Sequence, residues 1–291
     1  MERPVRSRSA SDRRRAFKAR LTQPGTIAVP GAYDALSAKL IEREGFEAVY
    51  LGSYATSAAR FAAPDVGLVT LEDMISHAST IVRAVNVPVV CDAEAGWFNA
   101  ANIWKTVESF ESIGVCGIHM EDHEFGKHAP VAPRMTPLVE AAARIRAAVE
   151  ARTDPNFLII ARTDALWISG SLTEVVDRLN AYAGAGADLL MPTRVSPEQV
   201  QHIRERVSVP IVITDRPGVS LAAEREAGAK MVLYYGLTLY AAFSGVRNAL
   251  NDFAEKQNAD VVPNLRAVIP DLESMLDYGA FAERARRYGL T

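Results

Sequence analysis

The stretch PVVCDAE, residues 88–94, is an apolar run that ends in two acids, Asp92 and Glu94. Further along, GIHMED (117–122) ends in Glu121 and Asp122, and FLIIARTD (157–164) ends in Arg162 and Asp164. Residues i and i+2 of a strand point to the same side, so the spacing directs Asp92 and Glu94 into one volume. A neighbouring strand brings Glu121 within reach. Three carboxylates in one pocket repel and raise one another's pKa unless a cation neutralises them. Hard oxygen donors suit Mg2+ or Mn2+, with water and substrate oxygens completing an octahedron. Helix caps and surface ion pairs are the other common use of acids after strands, and spacing alone leaves both readings open.

Such a cluster needs a scaffold that presents several strand ends to one face. Five more apolar, β-branched runs join the three above: TIAVPG (26–31), AVYLGS (48–53), DLLMPT (188–193), PIVITD (210–215) and KMVLYYG (230–236). Amphipathic stretches of helical period separate them. Ser196-Pro197 reads as a helix cap and first residue, and Gly45, Gly114, Gly186 and Gly228 read as terminators. Eight strand–helix cycles predict an α/β fold of the TIM type, an (α/β)8 barrel, which commonly takes ~250 residues and carries its active site at the C-terminal strand ends. A doubly wound open sheet is the competitor, but no Gly-rich phosphate turn follows the first strand. The expectation is one barrel domain over 1–291, with an N-terminal helical extension over 1–24 and a C-terminal helical tail over 252–291. The tail contains PDLESMLDYGAFAERARRYGL, a helix with no strand to cover.

The 291 residues carry 32 Lys and Arg against 35 Asp and Glu, a net charge of −3 that gives no global attraction to nucleic acid or anionic membrane. No apolar run approaches the ~20 residues needed to span a bilayer. Cys91 and Cys116 both lie in apolar runs, which fits a reducing, cytoplasmic setting with buried thiols. The start, MERPVRSRSASDRRRAFKARL, is rich in Arg and Ser. It reads either as an organelle transit segment or as a helix from Ser11 or Asp12, with its cations on a solvated face. Phe17 and Leu21, four apart, would then pack inward.

Five segments in order, GAYDALSA, AVYLGSYATSAARFAAPDVGLVTLED, DAEAGWFNA, GIHMEDHEFGKH and FLIIARTDA, resemble the isocitrate lyase / phosphoenolpyruvate mutase superfamily. The likeness covers Ala28 to Leu250. It implies an (α/β)8 barrel, assembled as a homotetramer in which a C-terminal helix swaps between subunits. It also implies making or breaking a C–C or P–C bond beside an α-oxo or 2-hydroxy carboxylate, through Mg2+ and an enolate. By position, the resemblance assigns Asp92, Glu94 and Glu121 to the metal, and Asp65 to a catalytic place near metal and substrate. It assigns Tyr50, Gly52, Ser53 and Tyr54 to a loop holding the substrate carboxylate. Arg162 falls where the family clamps substrate and enolate charge, and Lys127 on the mobile gating loop.

Three departures from the family pattern shape the expected chemistry. The family's Asp-x-Asp is here Asp92-Ala93-Glu94, one methylene longer. The loop thiol of the isocitrate and methylisocitrate lyases, which protonates the enolate, is absent from Lys127-His128-Ala129-Pro130-Val131, and so is the Asn of the phosphonopyruvate branch. His128 or His123 is the candidate replacement acid. Thr193, Thr214 or Asp215, and Tyr240 stand where lyases hold the additional carboxylates of tricarboxylic substrates. Thr193 and Thr214 therefore line a site for a smaller or more apolar substrate. The expected function is a Mg2+-dependent carbon–carbon lyase, by retro-aldol cleavage or decarboxylation of a small 2-hydroxy or α-oxo carboxylate. P–C mutase or hydrolase chemistry is the alternative, and a barrel that has lost catalysis is the rival from outside enzymes. A small carboxylate and further copies of the chain are the expected partners, with no nucleic acid and no membrane.

Overall fold

The computed structural model describes residues 9–124, 133–258 and 266–290. Eight strands alternate with helices: β1 (Ile27–Pro30), β2 (Val49–Leu51), β3 (Val89–Asp92), β4 (Gly117–Met120), β5 (Leu158–Thr163), β6 (Leu189–Pro192), β7 (Val212–Thr214) and β8 (Met231–Tyr234). Helices α1 (Ala10–Thr22), α2 (Ala35–Arg43), α3 (Ser53–Phe61), α4 (Leu71–Ala84), α5 (Trp104–Ser112) and α6 (Leu138–Ala151) occupy the first half. Helices α7 (Ala165–Ser169), α8 (Leu172–Gly184), α9 (Pro197–Arg204) and α10 (Leu221–Ala227) follow, then α11 (Leu237–Lys256), α12 (Ile269–Met275) and α13 (Tyr278–Arg287).

All strand pairs are parallel. One arc runs β2-β3-β4-β5-β6 and the other β1-β8-β7. Parallel bridges Gly31↔Tyr50 and Leu190↔Ile211 join the arcs at both seams, so the sheet closes into the expected (α/β)8 barrel. Alternate residues separate two cores. Val29, Tyr50, Val90, Leu158, Ile160, Met191, Val212 and Leu233 fill the barrel interior, while Val49, Cys91, Ile118, Ile159, Leu190, Ile213 and Val232 pack outward under the helices. Ser196, with Pro197 behind it, caps α9 in a reciprocal capping box with Gln199, as its sequence directs. Gly45, Gly114, Gly186 and Gly228 all take positive φ at helix ends.

Helix α1 begins at Ala10, capped by Ser9. Phe17 and Leu21 are buried with the bottom of the barrel interior, worth roughly 1.5–3 kcal/mol each. The expectation that its cations are solvated fails at Arg14, which is 5% exposed. Its Nε donates to the Val115 carbonyl at 2.8 Å, and its guanidinium lies 3.4 Å from Asp154. Lys18 reaches Asp188 at 2.9 Å. Val115, Asp154 and Asp188 precede β4, β5 and β6, so α1 is pinned by charge across the N-terminal ends of the strands, opposite the expected site. Cys91 and Cys116 are buried free thiols, and burial pushes both thiol pKa values up.

Residues through Leu239 form one compact unit, and those from Tyr240 onward a second. Within the second, α11 presents Phe243, Val246, Leu250 and Phe253 at helical spacing, all exposed. Among the described residues no helix is long and apolar enough to cross a membrane.

Candidate active site

The site begins where β3 ends. Asp92 is its last residue and is buried, and the strand does not continue to Glu94. Glu94 instead takes φ +48°, a left-handed conformation that strains a residue with a Cβ. Strand alternation therefore does not aim Glu94, contrary to the reading from spacing. A turn does: the Glu94 N–H donates to Asp92 Oδ1 at 2.8 Å, and its carbonyl accepts the Glu121 N–H at 2.9 Å. The turn closes at Gly96, with φ +91°, where a Cβ would meet the Ile103 side chain at 2.3 Å. Asp92, Glu94 and Glu121 are thus linked through the backbone of this turn and are all buried, at the ends of β3 and β4. The acids and imidazole whose ligand atoms lie within 4.8 Å of one another among the described residues are instead Glu121, His123 and Asp164.

Residues 50–54, expected as a carboxylate-binding loop, are the end of β2 and the start of α3. Tyr50 lies in the strand, Gly52 is the N-cap, and Ser53 and Tyr54 form the first turn. The buried Ser53 hydroxyl sits between two acids, 2.8 Å from Asp92 Oδ2 and 3.2 Å from Asp65 Oδ1. The Ser53 N–H also points at Asp92 Oδ2, at 3.3 Å, which places the positive end of α3 on that carboxylate. Asp65 joins the cluster from the segment after α3. Tyr54 meets the Tyr235 ring edge-on at 6.0 Å.

Cations balance part of this charge. Arg162, from β5, places NH1 3.0 Å from Glu121 Oε2 and NH2 3.0 Å from Asp164 Oδ2, with 12% of its side chain exposed. Burial alone would lower its pKa, but Asp164, Glu121 and Asp92 together raise it, so the guanidinium is fixed as a cation. Burial works against the Asp164 carboxylate, yet Arg162 and His123 hold its pKa well below the usual range. His123 Nε2 lies 3.3 Å from both Glu121 Oε1 and Asp164 Oδ2. Against desolvation, those two acids raise the imidazole pKa to about 9.

The remaining expected residues fall in different places. Thr193, just past β6, is buried and donates its hydroxyl to Asp164 Oδ1, so it orients an acid of the site. Thr214 ends β7. Lys127 and His128 lie outside the described residues. Asp122 turns away from the cluster: it accepts from the Tyr182 hydroxyl at 2.6 Å and the Asp164 N–H at 3.1 Å, with Arg178 at 3.4 Å. Sequence reading passed over His119, wholly buried in register with Asp92. Its Nε2 contacts the Tyr50 hydroxyl at 2.8 Å, and its Nδ1 lies 3.6 Å from Asp92 Oδ1. The available signal was its place two residues before Glu121 in a strand.

The excess of buried acids at this end of the barrel suits a bound dication. Asp65, Asp92, Glu94 and Glu121 offer buried oxygens at one end of the barrel, and with Asp164 they outnumber the nearby Arg162 and His123. A closed barrel with this acidic, Arg-bearing mouth defines the class of protein. The chain belongs to the phosphoenolpyruvate phosphomutase family, whose pattern residues 17–254 match. It is 34% identical over 280 residues to 2-methylisocitrate lyase of Shewanella oneidensis, covering 92% of this chain and 94% of that one. It is 37% identical over 225 residues to 2,3-dimethylmalate lyase of Eubacterium barkeri, covering 74% of each. Among solved structures, phosphoenolpyruvate phosphomutase from Streptomyces platensis subsp. rosaceus superposes with a TM-score of 0.89 at 29% identity, over 97% of this chain and 99% of that one.

Proposed function

We propose that the chain is a Mg2+-dependent lyase that breaks a carbon–carbon bond of a small 2-hydroxy or α-oxo carboxylate through an enolate. The observation that carries this reading is the cluster of buried carboxylates beside the fixed Arg162 cation, in a chain more than 30% identical to two named lyases. Asp92, Glu94 and Glu121 would hold the ion, with Asp65 tied to Asp92 through Ser53; the same oxygen donors would also accept Mn2+. Bound there, the dication supplies Lewis acidity to the oxygens that gain charge.

The chain's own groups do the rest. The first turn of α3, with Tyr50, Gly52, Ser53 and Tyr54, receives the substrate carboxylate at a positive helix end. Arg162 faces the oxygen on which enolate charge develops, already oriented by Glu121 and Asp164. Thr193 and Thr214, short and uncharged, border the side where a longer acid would need cationic partners. In a retro-aldol cleavage the hydroxyl proton passes to water, the hydroxyl-bearing carbon becomes a carbonyl as the C–C bonding pair leaves to form the enolate, and a proton returns to the enolate carbon. His123, a cation at neutral pH, or His128 supplies that proton, and Lys127 keeps the gating role that the family resemblance implies.

The likeness to a phosphomutase keeps P–C chemistry as the second reading. A screen of malate-type, 2-oxo and phosphono acids with Mg2+, following pyruvate, CO2 and phosphate release, separates the two. Calorimetric titration with Mg2+ tests the site: Asp92→Asn should weaken binding at least about tenfold. Unchanged affinity would move the ion elsewhere. The exposed apolar stripe of α11 further supports assembly into a homo-oligomer, a tetramer with exchanged C-terminal helices, and light scattering on Phe243→Asp tests it. The two free buried thiols support a cytoplasmic setting.

A further inference from the structure

We propose that Glu121, His123 and Asp164 form a seat for a transition-metal dication of the Zn2+ or Co2+ type, adjacent to the all-oxygen seat around Asp92 and Glu94 and sharing Glu121 with it. The His123 ring carries the argument. Its Nδ1–H donates to the Glu124 carbonyl at 2.8 Å, which leaves Nε2 turned toward Glu121 Oε1 and Asp164 Oδ2. A hydrogen bond from the far ring nitrogen to a carbonyl is the arrangement that orients metal-ligating histidines.

The distances fit ligands better than hydrogen bonds. Nε2 lies 3.3 Å from each oxygen, and the buried atom makes no aligned hydrogen bond among the described residues. A charge-assisted N–H···O bond is shorter, about 2.7–2.9 Å. Two donors each about 2.1 Å from one ion at a tetrahedral angle stand about 3.4 Å apart. The three ligand atoms all lie within 4.8 Å of one another, and all three residues are buried. Imidazole beside carboxylate selects zinc-like ions, whereas Mg2+ prefers oxygen alone.

Charge favours a second cation. Asp65, Asp92, Glu94, Glu121 and Asp164 crowd this end of the barrel, and one Mg2+ with Arg162 leaves them still in excess, before any anionic substrate enters. Arg162 pairs with Glu121 Oε2 and with Asp164 Oδ2, so Glu121 Oε1 is turned to His123 while the ion would share Asp164 Oδ2 with the guanidinium. The fourth position would take water or a substrate oxygen, and binding would displace any proton on Nε2.

The test uses Co2+ as a coloured probe on the whole protein with saturating Mg2+. Wild type should bind Co2+ with visible d–d absorption, and His123→Gln should weaken that binding by about tenfold or more and change the band. In the absence of Co2+, Mg2+ affinity should stay within about twofold in His123→Gln, and a thermal melt checks its fold. The same Co2+ isotherm and spectrum in His123→Gln, or no Co2+ bound to wild type under saturating Mg2+, would overturn the proposal. The proposed function shares Glu121 with it and gives His123 and Asp164 other roles, as proton donor and as partner of Arg162, but it falls on Asp92→Asn and Mg2+ instead.

Discussion

Replacing Arg162 separates the electrostatic role of the guanidinium from its structural one. The side chain bridges Glu121 and Asp164, whose carboxylates are 1% and 2% exposed, at 3.0 Å each. Arg162→Ala leaves two buried acids without their shared counter-charge, which costs about 3–5 kcal/mol for a broken buried pair. In a chain of this size that is a fall of roughly 6–20 °C in Tm. Saturating Mg2+ should return part of it, because the ion adds charge to the same cluster. Catalysis should fall further than stability explains. A preorganised donor to a developing oxyanion is worth about 10²–10³ in kcat, so the folded variant, assayed with Mg2+ well below its Tm, should lose at least that factor. Arg162→Lys keeps the charge but cannot span both carboxylates in a planar fork, and should fall between the two. Turnover by Arg162→Ala within about threefold of wild type, on a substrate wild type cleaves, would refute the reasoning.

Glu94→Asn should raise stability by about 1 kcal/mol, because Asn tolerates the left-handed backbone that strains Glu, while weakening Mg2+ in a calorimetric titration. A melt that drops instead would mean the Glu94 side chain stabilises more than its backbone costs. Arg14→Ala should lose about 3 kcal/mol of stability by denaturant titration with turnover per folded molecule unchanged, because Arg14 sits at the opposite end of the barrel. For His123 the folded pKa is raised from 6.5 to about 9, chiefly by Asp164 and Glu121 against the pull of burial. A raised pKa gives stability that is complete below pH 6.5 and lost as pH climbs through about 9. Metal-free wild type should therefore lose about 1–3 kcal/mol across that window, and His123→Gln should show a flat profile there.

The barrel was legible because each strand is a short run of Val, Ile, Leu and Met bounded by turn residues, and because that pattern repeats eight times. Arg162, Glu121 and Asp92 could be placed at strand ends for the same reason. Other residues escaped because no local pattern encodes their neighbours. Arg14 reads as one cation in a basic segment. Only the closed barrel shows that it lies beneath Val115 and Asp154, a hundred residues and more away. Helix α3 opens with Gly-Ser-Tyr-Ala-Thr, small and polar residues without a side-chain cap, so its start reads as loop. Yet that missing cap is what makes the site: Ser53 gives its hydroxyl and its N–H to Asp92, a residue of another strand, instead of to its own helix. Glu94 makes the same point about period. A two-residue spacing implied a shared strand face, but the chain leaves the strand at Asp92 and reaches Glu121 through a left-handed turn. An acid held in a strained backbone, among like charges and out of water, carries three separate costs. A bound cation offsets two of them at once, which is the strongest physical reason for reading this end of the barrel as a metal site.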